Sequence, residues 1–386
     1  MHGPDALGRL LGIACNPATS ERQARLLADA ARSGVDWQAL PQALAIHRLG
    51  PLLHWQFRQY GIRVPTGIRR LLAGMYAREQ YRATARTEAL LEIADQLDTR
   101  GIDFVVLKGG VLAHTVYAEP GLRPMDDLDI LVSRQHLASA QQALETLGLH
   151  APTPANRYQR IMHHLPLARG ERHGVPIQVE IHRSVMNTVL GAQPDLEHIQ
   201  RPLTEFCAGG RTLRSLHPEE FLTTQWQRMG HLNDTFRAIR LADLAGLAET
   251  SVSSIDWAAQ EQRRSGLRQR MHALQEVTPL SRHLCEALQL DPDHPPGGAD
   301  PTRHYYRGWP LFRFSQGQLQ PVRGTQLLQE TLLPPSWWMR LTYGTDSPSG
   351  LAIAYGLRHP LALAVQTGRR LYMGPVCRYR FFRRPV

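Results

Sequence analysis

Apolar residues recur at three- and four-residue spacing through most of the first hundred positions. DALGRLLGIA, ERQARLLADAAR, DWQALPQALAIHRLGPLLHWQF and REQYRATARTEALLEIADQLDTR each gather them on one face, which predicts amphipathic helices. In the last of these, Leu90, Leu91, Ile93, Ala94 and Leu97 form the stripe, while Arg86, Glu88, Glu92 and Asp95 face away. The turn residues of GIRVPTG (61–67) separate two helices. The period changes at Gly101. IDFVVLKG is a short β-branched run closed by glycine, the pattern of a buried strand. GVLAHTVYA reads as a helix that starts at Gly109-Gly110, and EPGLRP as a turn. MDDLDILV alternates acids with apolar residues and predicts a second strand. SRQHLASAQQALETLG predicts a helix with Ser133 as N-cap and Gly148 as its stop. HHLPLARGERHGVPIQVEIH predicts a hairpin, with strands around 163–169 and 176–182 and a polar turn at 170–174.

From about 217 the helical period returns in PEEFLTTQWQRMGHL, FRAIRLADLAGLAE, IDWAAQEQRRSGLRQRMHALQEV and LSRHLCEALQL. DPDHPPGGADP (291–301) has the composition of a linker. Beyond it the period weakens, and aromatic clusters such as WPLFRF and WWMRLTYG stand out. The expected organisation is a helical region at 1–100, an α/β core at 101–200, a second helical region at 201–290, and a linker with a basic region at 291–386. In fold class this is α+β, a small mixed sheet with helices, flanked by mostly helical N- and C-terminal regions.

With 42% of 386 residues apolar, a sizeable core is expected. The most apolar stretch, LAIAYGLRHPLALAVQTG, is broken by Arg358, His359 and Pro360, so no membrane span is predicted. The N-terminus lacks the basic and apolar regions of a secretory signal, and a cytoplasmic location is expected. Cys15, Cys207, Cys285 and Cys377 are scattered with no CxxC pair, which predicts neither a zinc ribbon nor a disulfide scaffold. The net charge of +10 is unevenly placed. Residues 301–386 hold 12 Arg and only Glu330 and Asp346, ending CRYRFFRRPV, whereas acids and bases balance before them. Such a tail suits a polyanion, and it suits equally a solvated face or a patch docked on an acidic surface. Of the 44 basic residues only one, Lys108, is lysine. It directly precedes Gly109-Gly110 and marks a place where a compact point charge serves and a planar fork does not.

Three features converge on one chemistry. Strand, double glycine and helix together offer backbone N–H groups to an anion. Asp127 and Asp129 stand two apart on a predicted strand, so both carboxylates share one face. Two adjacent carboxylates repel unless a cation sits between them, and hard oxygen ligands suit Mg²⁺ shared with substrate phosphates. Glu180, between Val179 and Ile181, offers a third carboxylate from a later strand. His163, His164, His173 and His182 gather around the hairpin, where a zinc site lacks any cysteine partner and His182 could flank the acids instead.

The order hydrophobic-Gly-Gly, Asp-hydrophobic-Asp and hydrophobic-Glu-hydrophobic resembles the DNA polymerase β-type nucleotidyltransferase superfamily. More closely, LKGGVLAHTVY…GLRPMDDLDILV resembles an uncharacterised bacterial nucleotidyltransferase family with an LKG…Y…R…DxDxLV signature, from about Asp36 to Leu247. The resemblance implies a polymerase β-type core and metal-dependent transfer of a nucleoside monophosphate from an NTP, such as ATP, to a hydroxyl. It implies that Gly109 and Gly110 hold the triphosphate, with Lys108 and Arg123 offsetting its charge. Asp127, Asp129 and Glu180 would be the catalytic acids and ligands of Mg²⁺ or Mn²⁺. The chain departs from the broad superfamily in a longer gap before Asp127 and in Gly110, where serine is common. The acceptor stays open among small molecules, peptides or proteins, and saccharides. One alternative is a tRNA or other nucleic-acid acceptor held by the basic tail. Another is a non-catalytic binding protein on the same fold. His231 and Asp243 fit the family's later helices and fit equally a buried pair bracing them. Trp337-Trp338 could stack bases or fill a core.

Overall fold

The computed structural model describes residues 6–152, 162–185, 195–229, 237–263, 266–296, 299–301, 331–365 and 367–368. Its contacts divide the chain into two units, residues 1–77 with 225–367 and residues 78–224 with 368–386. WPLFRF, His231, Cys377 and the CRYRFFRRPV tail lie outside the described residues.

The first unit is helical as described. It holds α1 (Ala6–Ile13), α2 (Glu21–Arg32), α3 (Leu40–His47), α4 (Gly50–Gln59) and the start of α5 (Thr66–Thr99). The Ser20 hydroxyl accepts the Gln23 N–H at 3.1 Å and caps α2, whose first turn carries Glu21 and last turn Arg32. DWQALPQALAIHRLGPLLHWQF forms two helices: Arg48 turns left-handed at φ 61°, and Pro51 restarts the chain in α4. Leu10, Leu11, Ile13, Leu27, Leu40, Leu44, Leu52 and Leu53 are wholly buried. Carbonyls left open where α1 ends are met by buried amides. Gln56 Nε2 donates to Ala14 O at 3.2 Å and Asn16 O at 2.8 Å, and Gln23 Nε2 donates to Ile13 O at 3.3 Å. The WWMRLTYG cluster is a helix, Ser336–Tyr343, with Trp337 and Trp338 both buried and the Trp338 ring edge-on to Tyr343 and His359. That placement is a core role. Among the described residues no helix is long and apolar enough to cross a membrane.

The second unit carries the sheet. β1 (Phe104–Leu107), β2 (Leu128–Val132), β3 (Ala168–Arg172) and β4 (Val175–His182) lie in the order β1-β2-β4-β3. β2 runs parallel to β4, and the outer pairs are antiparallel, so the sheet is small and mixed. Every residue of β1 and β2 is buried, which explains their near-continuous apolar run. α6 (Gly109–Thr115) packs on β1 and β2, and α7 (Leu137–Thr146) on β4. The α+β class with a small mixed sheet is therefore as the sequence pattern predicts.

Several elements shift from expectation. The hairpin turn is only His173-Gly174, both at positive φ (50° and 71°), the geometry that matches strand twist in a two-residue turn. β3 accordingly starts at Ala168 and not at 163. Residues around 163–165 still lie along the far end of β4, with Leu165 N–H donating to Ile181 O at 2.8 Å. Ser133 precedes a 3₁₀ turn, Arg134–His136, and its hydroxyl meets His136 Nδ1 at 3.1 Å, so it does not cap α7 by a backbone bond. Residues 204–215, within the stretch read as helical from 201, form a hairpin of β5 (Thr204–Ala208) and β6 (Arg211–Ser215) turning at Gly209-Gly210. The acids on the polar side of α5 are not simply solvated. Arg172 reaches Glu88 at 3.2 Å and also Glu92, and Arg211 pairs with Asp95 and Asp98. Both hairpins are thereby tied to α5, and Arg86 is buried.

Candidate active site

The end of β1 delivers the lone lysine. Lys108 has φ 51° and ψ −124°, a conformation L side chains rarely adopt, immediately before α6. From there its ammonium turns back to β2 and β4. It pairs with Asp129 Oδ1, lies 3.7 Å from Glu180 Oε2 and 3.3 Å from His182 Nε2.

The carboxylates are brought together by register. Asp129 on β2 is the direct partner of Glu180 on β4, and Leu131 of His182. Side chains alternate along β4, so Glu180 and His182 share a face. Asp129, Glu180 and His182 are all at most 2% exposed. His182 Nε2 stands 2.8 Å from Asp129 Oδ1 and 3.5 Å from Glu180 Oε2. One ligand atom from each of the three falls within 4.8 Å of the others, a spacing that can hold a metal ion. Asp127 falls outside that trio. β2 begins at Leu128, so Asp127 lies just before the strand and is half-buried, not a strand residue as its alternation predicts.

The electrostatics agree with a site built for a cation. Burial, then the neighbouring charges of Asp129 and Glu180, push the Asp127 carboxyl up to about 7, against the pull of Lys108. Burial also pushes Asp129 up, but the Lys108 ammonium and the His182 hydrogen bond outweigh it and hold this carboxyl below its ordinary value. One ammonium is thus shared between two buried carboxylates, with a third carboxyl close enough to feel both. His182 Nδ1 is buried and has no hydrogen-bond partner among the described residues. Whichever tautomer His182 adopts, this polar set is not closed by the described side chains around it. The donor set of carboxylate oxygens with one imidazole fits a divalent cation.

The double glycine has two separate reasons. A Cβ on Gly109 would sit 2.3 Å from Arg123 Nη1, so the absence of a side chain lets the buried Arg123 guanidinium lie against the backbone here. A Cβ on Gly110 would sit 2.9 Å from Val106 Cγ1, so this glycine is needed for α6 to approach β1.

Of the residues singled out in the sequence, Lys108, Asp129 and Glu180 converge directly, Asp127 adjoins them electrostatically, and Gly109 and Gly110 open α6 with Arg123 against Gly109. His182 belongs with the acids more closely than its position outside the predicted catalytic set implies. Its signal was the two-residue step from Glu180 on one strand. The other histidines do not make a zinc site among the described residues. His163 and His164 stack near His182 with ring centroids 5.0 and 5.4 Å away, yet the three do not converge as ligands. Burial and the adjacent histidines hold His163 well below the usual imidazole range. His173 sits in the exposed turn, 3.0 Å from Glu88. Asp243, on helix Ile239–Thr250 of the first unit, is buried.

Solved structures of low similarity align with parts of the chain. A solution structure of the antibiotic-resistance factor ANT(2'')-Ia aligns with 16% identity and a TM-score of 0.33, over 50% of this chain and 96% of that one. A crystal structure of an antigenic nucleotidyltransferase-like protein from Paracoccidioides brasiliensis aligns with 13% identity and a TM-score of 0.32, over 53% and 98%. Curated protein sequences give no match. The likeness to solved structures is slight, and the sequence match carries the assignment. Residues 33–284, about two thirds of the chain and all of the sheet and its acids, match a family described as uncharacterised nucleotidyltransferase. The chain belongs to that nucleotidyltransferase family.

Proposed function

We propose that this nucleotidyltransferase moves a nucleoside monophosphate from an NTP to a hydroxyl of an acceptor, releasing pyrophosphate, at the site formed by Asp127, Asp129 and Glu180. The acceptor oxygen bonds to the α-phosphorus, the α–β phosphoanhydride bond breaks, and the hydroxyl proton passes to a carboxylate of the site. The observation that carries this reading is the cross-strand pairing of Asp129 with Glu180, two buried acids that share the Lys108 ammonium.

Asp127, Asp129 and Glu180 would hold Mg²⁺ or Mn²⁺, with His182 fixing the Asp129 carboxylate through its 2.8 Å contact. When bound, the cation supplies Lewis acidity toward the triphosphate and the acceptor hydroxyl. Arg123, laid against Gly109, would offset triphosphate charge with its guanidinium. Gly109 and Gly110 open α6, where the family resemblance implies that the triphosphate is held. Glu180 is our choice for the proton acceptor, because it stands beside Asp129 without the short ammonium pairing that Asp129 makes.

The test is incubation with each labelled NTP, Mg²⁺ or Mn²⁺ and cell extract, comparing the native chain with Asp127→Ala/Asp129→Ala. Label should pass to an acceptor only with the native chain. Equal labelling by both proteins overturns the mechanism.

A further inference from the structure

The position of Lys108 has a consequence beyond balancing phosphate charge. Its Nζ lies among Asp129 Oδ1, Glu180 Oε2 and His182 Nε2, the same three side chains whose ligand atoms can converge on a metal ion. An ammonium and a divalent cation cannot share that point, since like charges at contact distance repel strongly in a buried setting. Lysine is suited to such a place. It is a compact, tetrahedral donor on a flexible four-carbon stem, whereas arginine would need a planar opening. The chain also accepts a left-handed backbone at Lys108 to bring the side chain here, where glycine would carry no strain. Its side chain is 17% exposed against 2% for Asp129, so the lysine, unlike the carboxylate, reaches solvent.

We propose that the Lys108 ammonium is the site's built-in counter-cation, which holds Asp129 and Glu180 together before the metal arrives and is displaced by it toward the phosphates of the incoming nucleotide. This rests on the reading that the acids take a divalent cation. The exchange makes metal entry and lysine release one event. The lysine that neutralises the empty site then becomes the lysine that meets the triphosphate. It also sets a cost on binding metal without nucleotide, because the released ammonium then has no anion to receive it.

The chain itself supplies the probe, because Lys108 is its only lysine. Selective ¹³C,¹⁵N-lysine labelling of the full-length protein gives one lysine side-chain signal set, followed by NMR while Mg²⁺ is added, with binding recorded in parallel by calorimetry. The signal should shift with the calorimetric saturation curve, and further when a non-hydrolysable NTP analogue is present. Asp129→Asn should abolish both the heat and the shift. Lys108→Met should bind Mg²⁺ alone about tenfold tighter than the native chain. A lysine signal that stays fixed while calorimetry records Mg²⁺ binding overturns the displacement and leaves the metal reading standing. Absence of Mg²⁺ binding by the native chain, with and without the analogue, overturns the metal reading and the displacement together. The labelled native protein needs no substitution, so a misfolded Lys108→Met variant does not remove the test.

Discussion

Asp129 and Glu180 face each other as direct partners on two parallel strands, in one buried layer of a four-stranded sheet. Like charges opposite one another destabilise a strand pair. The fold retains the pair by inserting Lys108 from the end of β1 and His182 from the same strand as Glu180, so three adjacent strands carry the site.

The two acids should not respond alike to neutralisation. Asp129 holds both the Lys108 ammonium and His182 Nε2, whereas Glu180 lies farther from each. Asp129→Asn leaves a part-buried ammonium with weakened compensation and should cost about 3 kcal/mol of stability in metal-free protein. Glu180→Gln should cost clearly less. Both should lower nucleotidyl transfer by roughly 10²–10³-fold. Urea denaturation without metal, paired with pyrophosphate release, separates the two effects. Equal destabilisation by both substitutions would contradict the geometry.

His182 should act through Asp129. Its ring is wholly buried, and its Nε2 fixes one carboxylate oxygen. Removing such an outer partner typically weakens metal binding 10–100-fold. His182→Ala should therefore raise the Mg²⁺ concentration needed for half-maximal activity by about that factor, with saturating metal restoring most of kcat. Loss of kcat that no metal concentration recovers would point to a direct part in the chemistry.

Helices and buried strands were legible from the sequence because their periods are local. The apolar stripe of α5, the β-branched run of β1 and the Asp-apolar alternation of β2 each lie within a short window. The pairing of β2 with β4 was not legible. Parallel partners are joined through a long connection, and nothing local in LDILV names Val179–His182 as its neighbour. Glu180 was reachable as an acid between apolar residues, but its position opposite Asp129 belongs to the register. Asp127 illustrates the opposite limit. Its alternation with Leu128 and Asp129 is perfect, yet the ladder starts one residue later, after a bend at Asp126. The β5–β6 hairpin carries a local signal. Two glycines between alternating runs, TEFCA-GG-RTLRS, are a standard two-residue turn signal.

Gly109 and Gly110 should separate binding from folding. Gly110→Ala drives a methyl group against Val106 Cγ1 at 2.9 Å, inside the α6–β1 contact, and should cost about 1–3 kcal/mol. Gly109→Ala meets the far end of Arg123, which can swing aside, so stability should change little while KM for the NTP rises. In an Arg123→Ala background Gly109→Ala should then cost almost nothing more, because the two changes remove one arrangement. Additive KM effects in the double variant would show that Arg123 and Gly109 work independently.

Acid sensitivity should have a source in the first unit, at His47. His47 is 1% exposed, and its Nδ1 accepts the Ala238 N–H at 3.2 Å, which requires that nitrogen to be unprotonated. Burial, then the nearby Arg237 charge, lowers its pKa from 6.5 to about 4. In the unfolded chain the imidazole takes up a proton near its ordinary value, so between those limits the unfolded state binds more protons than the folded one. The stabilisation from keeping His47 neutral is full above about pH 6.5 and is lost as pH falls toward 4. Integrated over that window it is about 3 kcal/mol for this group. His47→Asn keeps an acceptor oxygen near the Ala238 N–H and removes the titration. Its unfolding free energy by urea should therefore fall less than the native chain's between pH 7 and pH 4.5. Parallel pH curves for the two proteins would exclude His47 as the source.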